Sequence, residues 1–560
     1  MPSSVPAPER LLHQARLRLK VVVGCALCAF VLALGQLWSI PLRYGGGRLA
    51  QQNFPEVLAY QPSRANITDR NGELLATNLV TYSLYADPTE VLDPAETAEK
   101  LHGVLTDLSV AETAEKLTDT NKRFLWLRRN LTPQQFDAIN RLGLPGIDCQ
   151  REERRVYPLG RVAAHVLGYT DTDANGVAGI EKKLDSVLKT DREPLALSLD
   201  LRLQHIMAEE LRQRVEMFSA LGAAGMVLDI HTGEILAFVS LPDFDPNRPE
   251  NANPNAMFNR VSLGIYEMGS TLKVMNTAIA LDAGTAKPTT LFDAINPIKV
   301  GRFTIEDYKG KNKMLSMTEV LQYSSNLGSA RMAMAFGGSV QQRYLKAFGL
   351  LNRPVLEIPE IGDPLVPRPW RDVTTMTVSF GHGLSVSAVQ LAGAVAAAVN
   401  GGVYRPLTLL RREQIPQGVA VIRPETSKAV AKMLYDVVEG GTGNHAVVPG
   451  YFVGGKTGSA EKLTNGRYKE RKLLSSFVGV FPMYAPRYLV LAVLDEPKGI
   501  AATHGYATGG WVAAPAVAAV VQRMAPLLGI TPKEAVAPEV VTVLGLPKQP
   551  EIKEETVADR

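Results

Sequence analysis

Hydrophobic and polar positions follow three different patterns along this chain. From Val21 to Leu42 there is no charged residue, and VVVGCALCAFVLALGQLWSI is almost wholly apolar. That length predicts one helix able to cross a bilayer, which needs roughly 20 apolar residues. A cleaved signal peptide is the alternative, but the run exceeds the usual apolar region of about 7–15 residues. Arg10, Arg16, Arg18 and Lys20 precede it. The positive-inside rule therefore predicts a cytoplasmic N-terminus, a single pass and an exported remainder.

The second pattern, from Arg43 to Ala220, is polar and turn-rich. ANITDRNGELLATN predicts a hairpin, with β-prone residues flanking the two-residue turn Asn71-Gly72. AETAEKL occurs at Ala95–Leu101 and again at Ala111–Leu117, too few copies for a solenoid. Gln204–Phe218 carries the period of an amphipathic helix.

The third pattern begins at Ala223. AAGMVLDI and EILAFVS read as two strands joined by a turn around Gly233. GYFVGGKTGSAEKL, SSFVGVFP and RYLVLAVLDEP are three further strand candidates, and WVAAPAVAAVVQRMAPLL is an apolar helix. A long, mainly helical region separates the two groups. The expected fold class is α+β: a five-stranded antiparallel sheet with helices on both faces and a helical insert. An elongated mixed α/β pedestal and the membrane helix precede it. The expected segments are a tail over 1–20, the membrane helix over 21–42, the pedestal over 43–220, the sheet domain over 221–530 and a disordered tail over 531–560, ending in PKQPEIKEETVADR.

Composition narrows the function classes. The 560 residues are 46% hydrophobic and 21% charged, as in globular proteins. A formal charge of +4 without a long basic stripe argues against a nucleic-acid partner. Of three cysteines, Cys25 and Cys28 lie in the apolar segment, which leaves Cys149 without an exported mate. The eight histidines show no zinc-binding spacing, so no metal is expected.

The candidate chemistry starts at YEMGSTLKVMNTA, Tyr266 to Ala278. Ser270 precedes a helix-prone run and Lys273 follows one turn later on the same face. An amine there can reach the hydroxyl, but a serine at a helix start is also an ordinary N-cap. Spacing alone does not decide, because Ser186/Lys189 and Ser459/Lys462 share it. Two further motifs follow in order: Ser324-Ser325-Asn326, and Lys456-Thr457-Gly458-Ser459 on a strand candidate. S-x-x-K, S-x-N and K-T-G in that order mark penicillin-binding proteins and class A β-lactamases.

The wider sequence resembles the class B penicillin-binding proteins, in particular the cell-division D,D-transpeptidases of the FtsI type. ITDRNG, GIEKKLD (Gly179–Asp185), TGEILAFVSLPDFDPN, FNRVSLGIYEMGSTLK, SFGHGLSVS (Ser379–Ser387), GGKTGSAEK and LDEP (Leu494–Pro497) carry the resemblance. Met268, where many relatives have proline, and Ser459, where threonine is usual, depart from it. The resemblance implies a dimerisation-type pedestal, a transpeptidase domain and septal peptidoglycan crosslinking through a serine acyl-enzyme at D-Ala–D-Ala, without a cofactor. It implies Ser270 as nucleophile, Lys273 as base, Ser324 as proton relay and Asn326 as a holder of Lys273 and substrate. Lys456 would be the second cation that depresses Lys273. The N–H groups of Ser270 and Ser459 would bind the oxyanion, and Thr457 and Ser459, flanking Gly458, the terminal carboxylate.

The implied partners are stem peptides, β-lactams, a SEDS-type glycosyltransferase and other divisome membrane proteins at the bacterial inner membrane. The catalytic part would lie in the periplasm at the division site. His382 reads as a structural loop histidine, with a place lining the cleft as the alternative, and neither Glu319 nor Glu461 stands in the context of a deacylating base. An elongation-type transpeptidase, a D,D-carboxypeptidase or a β-lactamase remains the enzymatic alternative. A non-catalytic divisome scaffold or β-lactam sensor is the alternative from another class.

Overall fold

The structure, a computed structural model, describes residues 63–546 apart from 192, 302, 465, 466 and 536, with 18, 20–25, 27–29 and 31 near the N-terminus. The chain divides into a unit over Met1–Pro62 and a unit over Ser63–Arg560. In the first, the described residues are helical. Most of the expected membrane helix lies outside the described residues, and among these no helix is long and apolar enough to cross a membrane.

The second unit begins with a mixed α/β region. Strand β1 (Leu74–Ala86) leads to helices α1 (Pro94–Val104) and α2 (Val110–Thr118), strand β2 (Leu125–Leu131), helix α3 (Pro133–Leu142) and strand β3 (Ile147–Val156). β1 pairs antiparallel with both β2 and β3. The duplicated heptapeptide ends α1's apolar face at Leu101 and α2's at Leu117, both fully buried. Asp93 and Ser109 cap the two helices by accepting from backbone N–H groups.

The expected two-residue hairpin turn is instead a longer loop. Ile67–Thr68 does pair antiparallel with β1, but Asp69 Oδ1 accepts from the N–H groups of Asn71 and Glu73. That side chain mimics a backbone turn and so outcompetes the shorter Asn-Gly geometry. Ile67–Thr68 also pairs in parallel with Leu195–Ala196. Beneath it Glu181 receives Arg64 Nε at 2.5 Å and Arg155 Nε at 2.7 Å, all three side chains buried.

Helix α4 (Leu201–Met217) leads into strands β4 (Gly222–Asp229) and β5 (Ile235–Leu241). The helical stretch contributes α5 (Lys273–Asp282), α6 (Asn326–Phe336), α7 (Asp372–Ser379), α8 (Ala388–Val399) and α9 (Pro424–Gly440). Strands β6 (Gly454–Thr464), β7 (Arg467–Phe481) and β8 (Tyr488–Asp495) and helix α10 (Gly509–Leu527) complete the layers. The sheet order is β6-β7-β8-β4-β5, with every neighbour antiparallel.

β8 shows why its sequence is apolar at every position. Leu489, Leu491 and Val493 join the core under α5, α8 and α9. Val490, Ala492 and Leu494 join the opposite core, together with Met207 and Leu211 of α4 and Val517 and Val521 of α10. A strand covered on both faces needs no polar alternation. The expected disordered tail is ordered over its first half: Pro538–Leu544 is a helix, α11, whose Val540 and Leu544 are buried in the first of these cores. Burying these two apolar side chains favours docking of the helix on that core. Residues 547–560 lie outside the described residues.

Candidate active site

Ser270 sits in a single 3-10 turn, Gly269–Leu272, that runs straight into α5. The turn is entered through Gly269 at φ +56°, a left-handed conformation that glycine adopts without strain. The Ser270 hydroxyl caps neither helix; it accepts from Lys273 Nζ at 3.0 Å. Lys273, the first residue of α5, is 1% exposed.

The second motif forms the turn between the helix Met317–Gln322 and α6. Ser324 has φ +61° and presents both its polar oxygens to Lys273: Nζ lies 2.6 Å from the carbonyl and 3.1 Å from Oγ. Asn326 Oδ1 accepts from the same amine at 2.8 Å. Lys456, 0% exposed on β6, donates to Ser324 Oγ at 3.0 Å from the other side. One hydroxyl thus bridges two buried amines.

Four oxygens surround Lys273 Nζ, and two of them, the Ser324 carbonyl and Asn326 Oδ1, can only accept. A neutral amine has two N–H groups for those two and a lone pair left for a hydroxyl. Burial and then the Lys456 charge push Lys273 well below the usual lysine range, and Asp307 partly opposes them. Burial alone pushes Lys456 down to about 7. The asymmetry is physical: once Lys273 has lost its proton, no neighbouring cation opposes Lys456.

β6 is an edge strand, so its outer side faces the Ser270 turn. Gly458 is there because space is lacking: a Cβ would lie 2.3 Å from Ser476 Oγ and 2.7 Å from the Met268 carbonyl. The Ser459 carbonyl would be 2.9 Å from a Cβ on Gly269, so it points to the outer side. In an antiparallel strand a residue's N–H and C=O share a side, which turns the Ser459 N–H toward Ser270 as well. The Thr457 hydroxyl lies 3.3 Å from Lys456 Nζ and 3.1 Å from Thr442 Oγ1. The Ser459 hydroxyl turns toward α10 and accepts from Gly509 N at 3.0 Å.

The five polar side chains singled out in the sequence, Ser270, Lys273, Ser324, Asn326 and Lys456, are therefore one hydrogen-bonded cluster. The lysines of the other two serine–lysine spacings are engaged away from this cluster. Lys189 bonds Asp185 and Asn175, and Lys462 bonds Asp495 and Glu496. Glu319 serves a capping box with Ser316 and pairs with Lys313. His382 Nδ1 lies 3.0 Å from Glu267 Oε2, beside the short strand that leads to Ser270.

One residue escapes the motif reading. Asp307 accepts from the N–H groups of Asn326 and Leu327 and from Ser325 Oγ. Its only sequence signal is an acidic residue in the loop TIEDYKGKN.

Two family models match parts of the chain. The penicillin binding protein transpeptidase domain matches residues 223–522 and the penicillin-binding protein dimerisation domain matches residues 59–194. The fold and the cluster are thus those of a two-domain penicillin-binding protein. The probable peptidoglycan D,D-transpeptidase FtsI of Caulobacter vibrioides is 40% identical, over 97% of this chain and 93% of that one. The peptidoglycan D,D-transpeptidase FtsI of Escherichia coli K12 is 30% identical, over 92% of each. Penicillin binding protein 3 of Mycobacterium tuberculosis, solved with aztreonam, shares the fold at TM-score 0.67 and 24% identity, over 85% of this chain and 98% of that one. The chain belongs to the FtsI-type peptidoglycan D,D-transpeptidase family.

Proposed function

We propose that the protein crosslinks septal peptidoglycan, with Ser270 as the nucleophile and Lys273 as its base. The observation that carries this reading is the convergence of Ser270 Oγ, Ser324 Oγ, Ser324 O and Asn326 Oδ1 on one buried amine. Lys273 takes the Ser270 proton as Oγ attacks the penultimate D-Ala carbonyl. The backbone N–H groups of Ser270 and Ser459 receive the oxyanion. The proton passes through Ser324 to the departing amine, the C–N bond breaks, and free D-Ala leaves an ester on Ser270. The amine of a neighbouring stem peptide attacks that ester, and Ser270 regains its proton through Lys273. Lys456, Thr457 and Ser459, with Gly458 admitting the chain between them, hold the terminal carboxylate. A β-lactam follows the first half of this path and stays bound as an ester.

The remaining assignments belong to the same reading. Residues 43–220 form the pedestal and 221–530 the transpeptidase domain. The apolar segment 21–42 anchors the chain in the inner membrane with its N-terminus inside. A SEDS-type glycosyltransferase and other division proteins meet it at the division site. The uncharged run itself and the basic flank before Val21 support the membrane placement.

The test uses full-length protein in detergent, a stem peptide ending in D-Ala–D-Ala and an acceptor amine. The expected products are free D-Ala and crosslinked peptide, with neither formed by Ser270→Ala. Release of D-Ala with hydrolysed peptide alone would make the protein a carboxypeptidase. No product from the wild type would favour a scaffold.

A further inference from the structure

The cluster has an anionic neighbour that the proposed mechanism does not use. Asp307 lies in the connection between the hairpin strand Phe303–Ile305 and the strand Met314–Ser316, 19 residues before Asn326. Its carboxylate reaches the start of α6. Oδ1 accepts from Asn326 N at 2.5 Å and from Leu327 N at 3.0 Å, and Oδ2 accepts from Ser325 Oγ at 2.6 Å. Ser325 Oγ in turn accepts from Gly328 N, and the Ser325 carbonyl from Ser329 N. All four leading N–H groups of α6 are thereby matched, two of them by one carboxylate placed where a helix favours negative charge. The adjacent Glu306 carbonyl accepts from Asn326 Nδ2 at 3.1 Å, which fixes the amide so that Oδ1 faces Lys273.

Resting on the reading of Lys273 as base, we propose that Asp307 is a positioning residue of the reaction: it locks the Ser324–Asn326 turn between the two lysines and places a negative charge one residue away from the reacting amine. The charge has a direction. An anion near a lysine favours its protonated form. Asp307 therefore opposes burial and Lys456, the influences that deprotonate Lys273. The charged groups acting on Lys273 are Lys456 from β6 and Asp307 from the connecting segment. The lysines beside Asp307 are engaged elsewhere: Lys309 donates to Tyr506 Oη, Lys313 pairs with Glu319, and Lys311 lies over the Tyr323 ring.

The two roles separate by substitution. Asp307→Asn keeps an acceptor for the α6 N–H groups and removes the charge. Asp307→Ala removes both. The experiment follows the rate of acylation of the full-length protein by a fluorescent penicillin from pH 5 to pH 10. Mass spectrometry of the labelled peptide locates the ester in every variant. For Asp307→Asn the plateau rate should stay within about threefold of wild type, because asparagine and aspartate cap comparably. Its acid limb should move to lower pH by about half a unit or more, because Lys273 is neutral over a wider range. For Asp307→Ala the plateau should fall by about tenfold or more with the turn unheld.

An unmoved acid limb in Asp307→Asn, or an Asp307→Ala plateau within about twofold of wild type, overturns the proposal. A purely structural residue would slow acylation without moving the limb. Should Asp307→Ala fail to fold, the limb of Asp307→Asn decides alone. Labelling away from Ser270 in the wild type would instead overturn the reading of the site itself.

Discussion

Replacing Lys456 by methionine isolates the second amine of the cluster. The side chain is fully buried and methionine fills a similar volume, so the perturbation is mainly the loss of a charge and its hydrogen bonds. Lys273 and Lys456 each lie about 3 Å from Ser324 Oγ, which puts their nitrogens within about 6 Å of each other. At an effective dielectric of about 20, two unit charges at that distance repel by about 2.8 kcal/mol, or about two pH units. Burial remains in the variant and keeps Lys273 depressed; only the repulsion is lost. Its proton affinity must rise, and the acid limb of penicillin acylation must move to higher pH by about one to two units. The assay is the second-order acylation rate from pH 5 to pH 10. On the acid limb the rate should drop about 10- to 100-fold from this cause, and the deficit should narrow as pH rises. A deficit that is constant across pH would refute the reasoning: Lys456 would then act on substrate binding alone.

Further consequences follow from the same packing. The buried Lys456 should cost stability: its depressed value means that the unfolded chain holds the proton more tightly. That penalty is complete below about pH 7 and fades as pH approaches the ordinary lysine value. Lys456→Met should therefore raise Tm by a few degrees at pH 7. The gain should shrink by pH 10 in calorimetry, and a gain that grows with pH would contradict this sign. Gly458→Ala should press β6 away from Met268 and Ser476. It should slow acylation at least about 100-fold and destabilise the fold by about 1–3 kcal/mol, read by acylation kinetics and urea unfolding. Glu181→Gln should leave Arg155 without its charge partner and Arg64 with Asp185 alone. A loss of about 3 kcal/mol or more in urea unfolding is expected, with acylation at 25 °C unchanged in the folded fraction.

What could be read from the sequence follows from how local each signal is. The five strands were legible because β4 and β8 are short apolar runs bounded by turns, and both are buried along their whole length. The three motifs were legible because each carries its residues within four positions. The hydrogen-bonded pair Ser270/Lys273 could be singled out among the three serine–lysine spacings by element type. On β6, Lys462 points to Asp495 and Glu496 and cannot serve Ser459. Asp307 was not legible, since its partners are 18 to 20 residues away and its loop has no period. The Asp69 loop departs from its sequence signal for a related reason: Asn-Gly is a strong turn former, but a carboxylate two residues earlier offers the backbone another partner. The helix over Pro538–Leu544, PEVVTVL, is too short for its period to be read, and it docks through its buried Val540 and Leu544.

The central claim is that the hydroxyl at position 270, and no other, carries the acyl group. Mass spectrometry of the peptide labelled by penicillin in the full-length protein addresses it most directly. The account predicts a single ester on Ser270, absent from Ser270→Ala and formed more slowly in Lys273→Met. An ester on Ser186, Ser324 or Ser459 in the wild type would contradict it.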